Sequence, residues 1–222
     1  MLLSCLLTCT QCRAWSLAWA LAGVVLVSAP SAAQRAAADT SGFAEIRATI
    51  AAAQDRVGQA DSVGLDVADL DVALAEIERV LPALIAGSDR EVAAEALVML
   101  GQTQQARGEL SDALTAYERA QLFADQSGEV VAQARAYRGL GEALRALERY
   151  QEAAVHYGAA AQFYEEGQDA EAQTAMLREQ SRAYLLAGRA EQARAAALTS
   201  VRIAEATNLE PEQAEGLRLL AA

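Results

Sequence analysis

The chain has 222 residues, of which 53% are apolar and 5% aromatic, so it can bury a core of domain size. All 18 basic residues are arginine, and the formal net charge is −12 at pH 7. Nucleic acids and anionic membranes attract excess positive charge, so this balance argues against either as a partner. Most segments are filled by Ala, Leu, Glu, Gln and Arg, which favour helices, and this predicts an all-α protein.

The first 33 residues have the layout of a secretory signal peptide. Arg13 supplies one positive charge, residues 14–27 are largely apolar, and Ser31 and Ala33 stand three and one residues before a cut ahead of Gln34. We expect an exported protein that is cleaved after residue 33 and lies in a bacterial periplasm or is secreted. Residues 34–42, rich in Ala, Asp, Thr and Ser, are predicted to form a flexible linker.

An uncleaved membrane anchor is the alternative for the same segment. Residues 14–33 form 20 uncharged positions, about the number needed to cross a bilayer, although Pro30 and the small residues around it count against this. A membrane contact is expected only in that case. The three cysteines, Cys5, Cys9 and Cys12, all precede the apolar stretch, so the mature chain is predicted to hold no disulfide.

Residues 43–89 are predicted to form a degenerate first helical hairpin, with helices over 43–59 and 67–85. Pro82 is expected to kink or end the second of these helices. From residue 90 onward a 40-residue period is clear, which defines repeats 90–129, 130–169 and 170–209. Equivalent positions share small, apolar or glycine residues, as at Leu100-Gly101 and Leu140-Gly141, at Gly108 and Gly188, at Ala113, Ala153 and Ala193, and at Ala120 and Ala160.

Each repeat shows two stretches with apolar residues at three- and four-residue steps, separated by a break that predicts a helical hairpin. Glycine at Gly108 and Gly188 suits a left-handed residue closing a helix. Glu148 takes this place in the second repeat, so we expect its turn to be strained or to open earlier. Repeat three departs from the pattern at Gln180-Ser181 and Ala197.

This arrangement resembles the tetratricopeptide repeat over residues 90–209. Leu97, Tyr137 and Leu177 fill that family's first large apolar site, the Leu-Gly pairs follow, and Tyr117 and Tyr157 take the second-helix aromatic site. The resemblance implies a right-handed superhelical α-solenoid of antiparallel helix hairpins. The period of 40 rather than 34 implies longer helices, and the family's closing proline is absent. Residues 210–222, opened by Pro211, are predicted to cap the array with Leu217, Leu219 and Leu220, and the alternative is that the chain is a piece of a longer array.

The sequence predicts no enzyme, no cofactor and no metal site. It contains a single histidine, His156, placed among repeat-packing positions, and no cysteine after residue 12. Catalysis needs a nucleophile, a base or a metal in a shared site, and no such set is visible. The resemblance instead implies a scaffold or adaptor that binds a partner protein in the concave groove lined by its first helices. Together with the signal segment, it predicts an adaptor of the cell envelope.

Counting by the repeat register gives the residues expected to face that groove: Glu95, Val98, Gln102, Arg135, Arg138, Glu142, Arg145, Arg178 and Arg182. Five arginines in an acidic chain predict a partner with an acidic segment or a free C-terminal carboxylate, since the Arg fork binds carboxylates in bidentate fashion. A second interpretation is that these arginines simply pair with Glu142 and Glu179 on a solvated face. Two further hypotheses are a homo-oligomer formed through residues 217–220 and a regulatory module acting with a separate effector protein.

Overall fold

The computed structural model describes residues 67–220, together with Ala48. The signal segment, the linker and the predicted helix at 43–59 lie outside this range, apart from Ala48, which is helical. Within it every regular element is an α-helix, which confirms the predicted class. The helices are α1 (Val67–Ala86), α2 (Arg90–Ala106), α3 (Leu110–Ser127), α4 (Val130–Ala146), α5 (Tyr150–Glu166), α6 (Ala170–Leu186), α7 (Ala190–Thr207) and α8 (Glu210–Leu220).

The helices stack into an α-solenoid. Each helix packs against the next one along the chain, and the turns between them have two or three residues, which forces neighbours to run antiparallel. The first helices of the repeats are α2, α4 and α6, and the second helices are α3, α5 and α7. Additional contacts join α2 to α4 and α6 to α8, so first helices also form a layer of their own.

The turns within the repeats use the left-handed backbone conformation. Gly108, Glu148 and Gly188 have φ of 82°, 61° and 71° at equivalent positions, so the strain expected at Glu148 is present. A backbone bond from the next residue, such as Arg149 N–H to the Leu144 carbonyl at 2.9 Å, closes each helix in a Schellman motif. A second left-handed series that the sequence analysis did not identify ends the second helices, at Gly128, Gln168 and Asn208.

The helices of a repeat cross where a tyrosine ring lies on a glycine. A Cβ placed on Gly101 would lie 2.7 Å from the buried Tyr117 ring, and one on Gly141 would lie 2.7 Å from Tyr157. No real side chain is accommodated at that distance, so the glycines set how closely the two helices approach. The flanking small residues are fully buried, including Ala113, Ala120, Ala153 and Ala160.

Repeat three changes both partners of this contact together. Ser181 replaces the glycine and Ala197 replaces the tyrosine, and both are buried. The serine hydroxyl donates a hydrogen bond to the Ala193 carbonyl at 2.9 Å, which joins the two helices through a polar contact. The departure from the repeat pattern is therefore a matched exchange: a side chain is added on one helix where the ring is lost from the other.

The two ends of the array differ from the expectations in detail. Pro82 does not end α1, which continues to Ala86, and Ala73, Ile77 and Val80 of this helix are buried. At the other end, α8 packs through Gly216, the one residue of this helix that is buried. Leu217, expected to cover the end of repeat three, is instead 49% exposed.

Replacing Glu148 with glycine is expected to stabilise the protein by about 1 kcal/mol, because glycine carries no Cβ penalty in the left-handed conformation. Chemical denaturation measures the change. The matched control is Glu148→Ala, which removes the same carboxylate but keeps the Cβ and should show no such gain. Equal stabilities for the glycine and alanine variants would contradict a strained turn.

Replacing Gly141 with alanine is expected to destabilise the protein by about 1–3 kcal/mol, because the new methyl group overlaps the Tyr157 ring. The same change should cost far less in a Tyr157→Ala background, where the ring is absent as it is at Ala197 of repeat three. Urea unfolding of the four proteins gives the coupling free energy. An identical cost of Gly141→Ala in both backgrounds would show that the ring does not impose the glycine.

Candidate functional site

The residues predicted to line a binding groove lie on the first helices of the three repeats. We define the first-helix surface as these residues: Gln102 on α2, Arg135, Arg138, Glu142 and Arg145 on α4, and Arg178 and Arg182 on α6. Arg135 and Arg145 are exposed, and the others are half-buried. Val98, which the repeat count also placed on this surface, is only 6% exposed and belongs to the core.

Carboxylates of the same chain pair with most of these arginines. Arg135 lies 3.5 Å from Glu95 and links α4 to α2, while Arg138 Nε lies 3.5 Å from the Glu142 carboxylate one turn away. Arg182 pairs with Glu179 on its own helix and with Glu215 on α8. The surface therefore consists of alternating charges rather than a block of positive charge.

Glu215 is the acidic residue of this surface that sequence reasoning missed. It contacts Arg182 and also lies 3.6 Å from Arg178, so it ties α8 to α6. The sequence could have predicted that Glu215 belongs to this surface, since it occupies the same register position as Glu95 and Arg135 in the 40-residue period. That α8 supplies a first helix to the array is visible only once the helix is seen packed beside α6.

The arginines are not equally available to a partner. The Arg178 side chain is only 13% exposed, although its register equivalent Arg138 is 35% exposed. Arg145 turns towards the second helix of its own repeat, where its Nε donates to the Tyr157 hydroxyl at 3.3 Å. In repeat one Gln105 occupies the position of Arg145, and its side-chain oxygen accepts from the Tyr117 hydroxyl at 3.5 Å.

Burial and charge act against each other on the acidic and phenolic groups here. Burial raises the pKa of Glu142, while the Arg138 and Arg145 guanidinium groups oppose that rise and Glu179 adds to it. Burial raises the pKa of Tyr157 to about 12, although the hydrogen bond from Arg145 partly offsets this effect.

His156 packs in an aromatic group beside this surface. Its ring centroid lies 5.9 Å from that of Tyr137, which also contacts Phe163 at 5.2 Å and accepts a hydrogen bond from Gln121 at 2.9 Å. Burial lowers the pKa of His156, so the neutral imidazole is favoured. These contacts account for the histidine as a packing residue.

Among the described residues no three His, Cys, Asp or Glu side chains are grouped so that they could hold a metal ion. The cysteines lie outside this range. In the same part of the chain, none of the helices has the length and apolar character required to cross a bilayer.

No protein-family model matches the sequence, and a comparison with curated proteins gives no match. Solved structures with the same fold do exist. The TPR-like repeats of a kinesin light chain-type protein from Podosopora anserina superpose with a TM-score of 0.65 at 17% identity, covering 80% of this chain and 84% of that one. A second match is a signal transduction ATPase with numerous domains from Pyrococcus horikoshii, which has a tetratricopeptide repeat sensor.

The Pyrococcus match has a TM-score of 0.65 at 19% identity and covers 79% of this chain but 27% of the archaeal protein. At these identities the likeness establishes the fold, which is that of the TPR-like solenoids.

Replacing Glu142 with glutamine is expected to raise the melting temperature at pH 7. The folded-state pKa of Glu142 is raised, so ionising its carboxyl costs more free energy in the folded chain than in the unfolded chain. The wild type therefore loses stability as the pH rises from the unfolded-state pKa of Glu to the higher folded-state pKa. The difference between variant and wild type should vanish in acid, where Glu142 is protonated in both folded and unfolded chains. Thermal melts monitored by circular dichroism from acid to neutral pH measure it.

Glu152 provides a control with the opposite sign. Its pKa is lowered by hydrogen bonds from Arg149, so Glu152→Gln should lose stability at pH 7 and not in acid. Melting curves in which both variants shift in the same direction at neutral pH would contradict the assigned environments.

Proposed function

We propose that the chain is a non-enzymatic interaction scaffold, or adaptor, of the cell envelope that holds a segment of a partner protein on its first-helix surface. The observation that carries this proposal is the row of arginines on α4 and α6, of which Arg135, Arg138, Arg178 and Arg182 pair with carboxylates of the same solenoid. The fold supports it, because a solenoid presents a long continuous surface rather than an enclosed pocket.

The partner segment fits best if it brings carboxylates. Arg135 and Arg138 lie 3.5 Å from Glu95 and Glu142, distances typical of loose ion pairs rather than of tight bidentate bonds. Exposed pairs of this kind contribute about 0–1 kcal/mol, so an incoming carboxylate can replace them at small cost. An acidic segment or a free C-terminal carboxylate would supply such groups.

The location in the cell envelope rests on the signal-like segment at residues 1–33, which supports export. N-terminal sequencing of the protein from its native envelope tests it, and a mature chain beginning at Gln34 is the expected result. A chain that retains residues 1–33 in the membrane fraction would instead establish an uncleaved anchor.

The double variant Arg135→Glu with Arg138→Glu is expected to abolish binding of a short polyglutamate peptide with a free C-terminus and to remove partners captured by crosslinking in the native envelope. Both side chains are at least one-third exposed, and melting curves verify that the variant folds, since Arg138→Glu places a second carboxylate beside Glu142. Arg178 is unsuitable for this test because a glutamate at a site with 13% exposure, beside Glu215, would destabilise the fold.

The matched control is Arg119→Glu with Arg194→Glu, which makes the same change in net charge at exposed sites on the second helices α3 and α7. This control should bind the peptide like the wild type. If both double variants lose binding equally, net charge rather than the first-helix surface governs the interaction. Unchanged binding by the Arg135/Arg138 variant would overturn the proposal.

A further inference from the structure

The terminal helix α8 carries an exposed stripe along its outward face. Gly216 packs against Val201 on α7, and the side of α8 opposite this contact points to solvent. At the helical spacing of 100° per residue, the exposed residues fall within one face centred on Ala214. These residues are Glu210, Pro211, Ala214, Leu217 and Arg218. No other described helix covers them.

In the repeats, the position of Ala214 is a packing position. Its equivalents 40, 80 and 120 residues earlier are Thr174, Ala134 and Ala94, and all three are fully buried in the solenoid. Leu217 corresponds to Leu97, which is fully buried, and to Tyr137 and Leu177, which are half-buried, whereas Leu217 is 49% exposed. The centre of the stripe, at Ala214 and Leu217, is therefore a position that first helices of this array pack fully or partly against another element.

The stripe is complementary to itself. A two-fold axis through Ala214 sets two α8 helices antiparallel and brings Glu210 of one copy opposite Arg218 of the other, since each lies four residues, or about 6 Å, from the centre. The same axis sets Pro211 opposite Leu217. The interface therefore contains two Glu210–Arg218 ion pairs and two Pro211–Leu217 apolar contacts. The small Ala214 side chain at the centre permits close approach of the helices.

We propose that two copies of this chain associate through their α8 helices, in a two-fold symmetric antiparallel pair centred on Ala214. The occupant of the stripe is a second copy rather than an unrelated protein, because the charge pattern complements its own inverted sequence. Leu219 and Leu220 are half-buried, so Leu217 is the leucine that meets the second copy. Association at this end leaves the first-helix residues of α4 outside the interface.

The interface is small. An eleven-residue helix is about 16 Å long, and a single helix pair buries less than the roughly 1,200–2,000 Å² of stable complexes. The dimer is therefore weak and reversible. The apolar Pro211 and Leu217 contacts supply most of its affinity, and the two Glu210–Arg218 pairs fix its orientation.

Analytical ultracentrifugation of the mature chain over a concentration series up to about the millimolar range tests the proposal. The wild type is expected to show a concentration-dependent monomer–dimer equilibrium. Leu217→Glu should raise the dimer dissociation constant about tenfold or more, and Arg218→Glu should also weaken it by placing like charges opposite each other. The double variant Glu210→Arg with Arg218→Glu should restore association, because both pairs are re-formed with their signs exchanged.

Leu198→Glu is the matched control, since Leu198 is 43% exposed on α7 and lies outside the stripe. It should dimerise like the wild type. Melting curves verify that each variant folds, and retained peptide binding by Leu217→Glu would separate dimerisation from partner capture. A wild type that stays monomeric throughout the series, an unchanged equilibrium for Leu217→Glu, or no rescue by the double charge exchange would each overturn the proposal.

Discussion

The close approach of two helices at a glycine covered by a tyrosine ring is the contact on which the rest of this solenoid depends. In repeats one and two the ring fills the volume above Gly101 and Gly141, and buried alanines on either side let the backbones come together. Alanine contributes little apolar area for each contact, so the tyrosines supply much of the buried surface at each crossing. The contact at Gly101 is repeated 40 residues later at Gly141, so it fixes the spacing and register of repeats one and two.

Repeat three shows that the crossing can be built in another way. Ser181 and Ala197 exchange a ring contact for a hydrogen bond to the Ala193 carbonyl, and the hairpin keeps the same helix bounds relative to its neighbours. The volume lost at Ala197 is balanced partly by the side chain gained at Ser181. Substitutions at these two positions therefore have to be considered as a pair, because either one alone changes the packing volume of the other.

The same packing leaves a polar face on the first helices and divides its residues into different roles. Arg145 is held by Tyr157 and serves the crossing of its own repeat, while Arg178 is enclosed near Glu215. Arg135 and Arg138 remain the most available for a partner on α4. The face carries a network of ion pairs within the chain, and in the proposed function the same contacts are the ones that a partner carboxylate would replace.

The helical class and much of the fold were determined by the sequence alone, because helix periodicity and turn glycines act over a few residues. The predicted helix at 67–85 is observed as Val67–Ala86, and the replacement of glycine by Glu148 correctly marked a strained turn. The candidate site was predicted only as a set of register positions. Repeat counting placed the arginines on the first helices, yet it also placed the buried Val98 among them.

Only the tertiary structure decided which side chains meet. Arg182 pairs with Glu215, and the Arg178 side chain is more buried than its repeat equivalent Arg138. On α8, Leu217 is exposed and Gly216 is buried. These outcomes depend on the angle at which helices cross and on what lies beyond each one, and both are non-local. A repeat period specifies equivalent positions, whereas their burial differs wherever the neighbouring element differs, as at the end formed by α8.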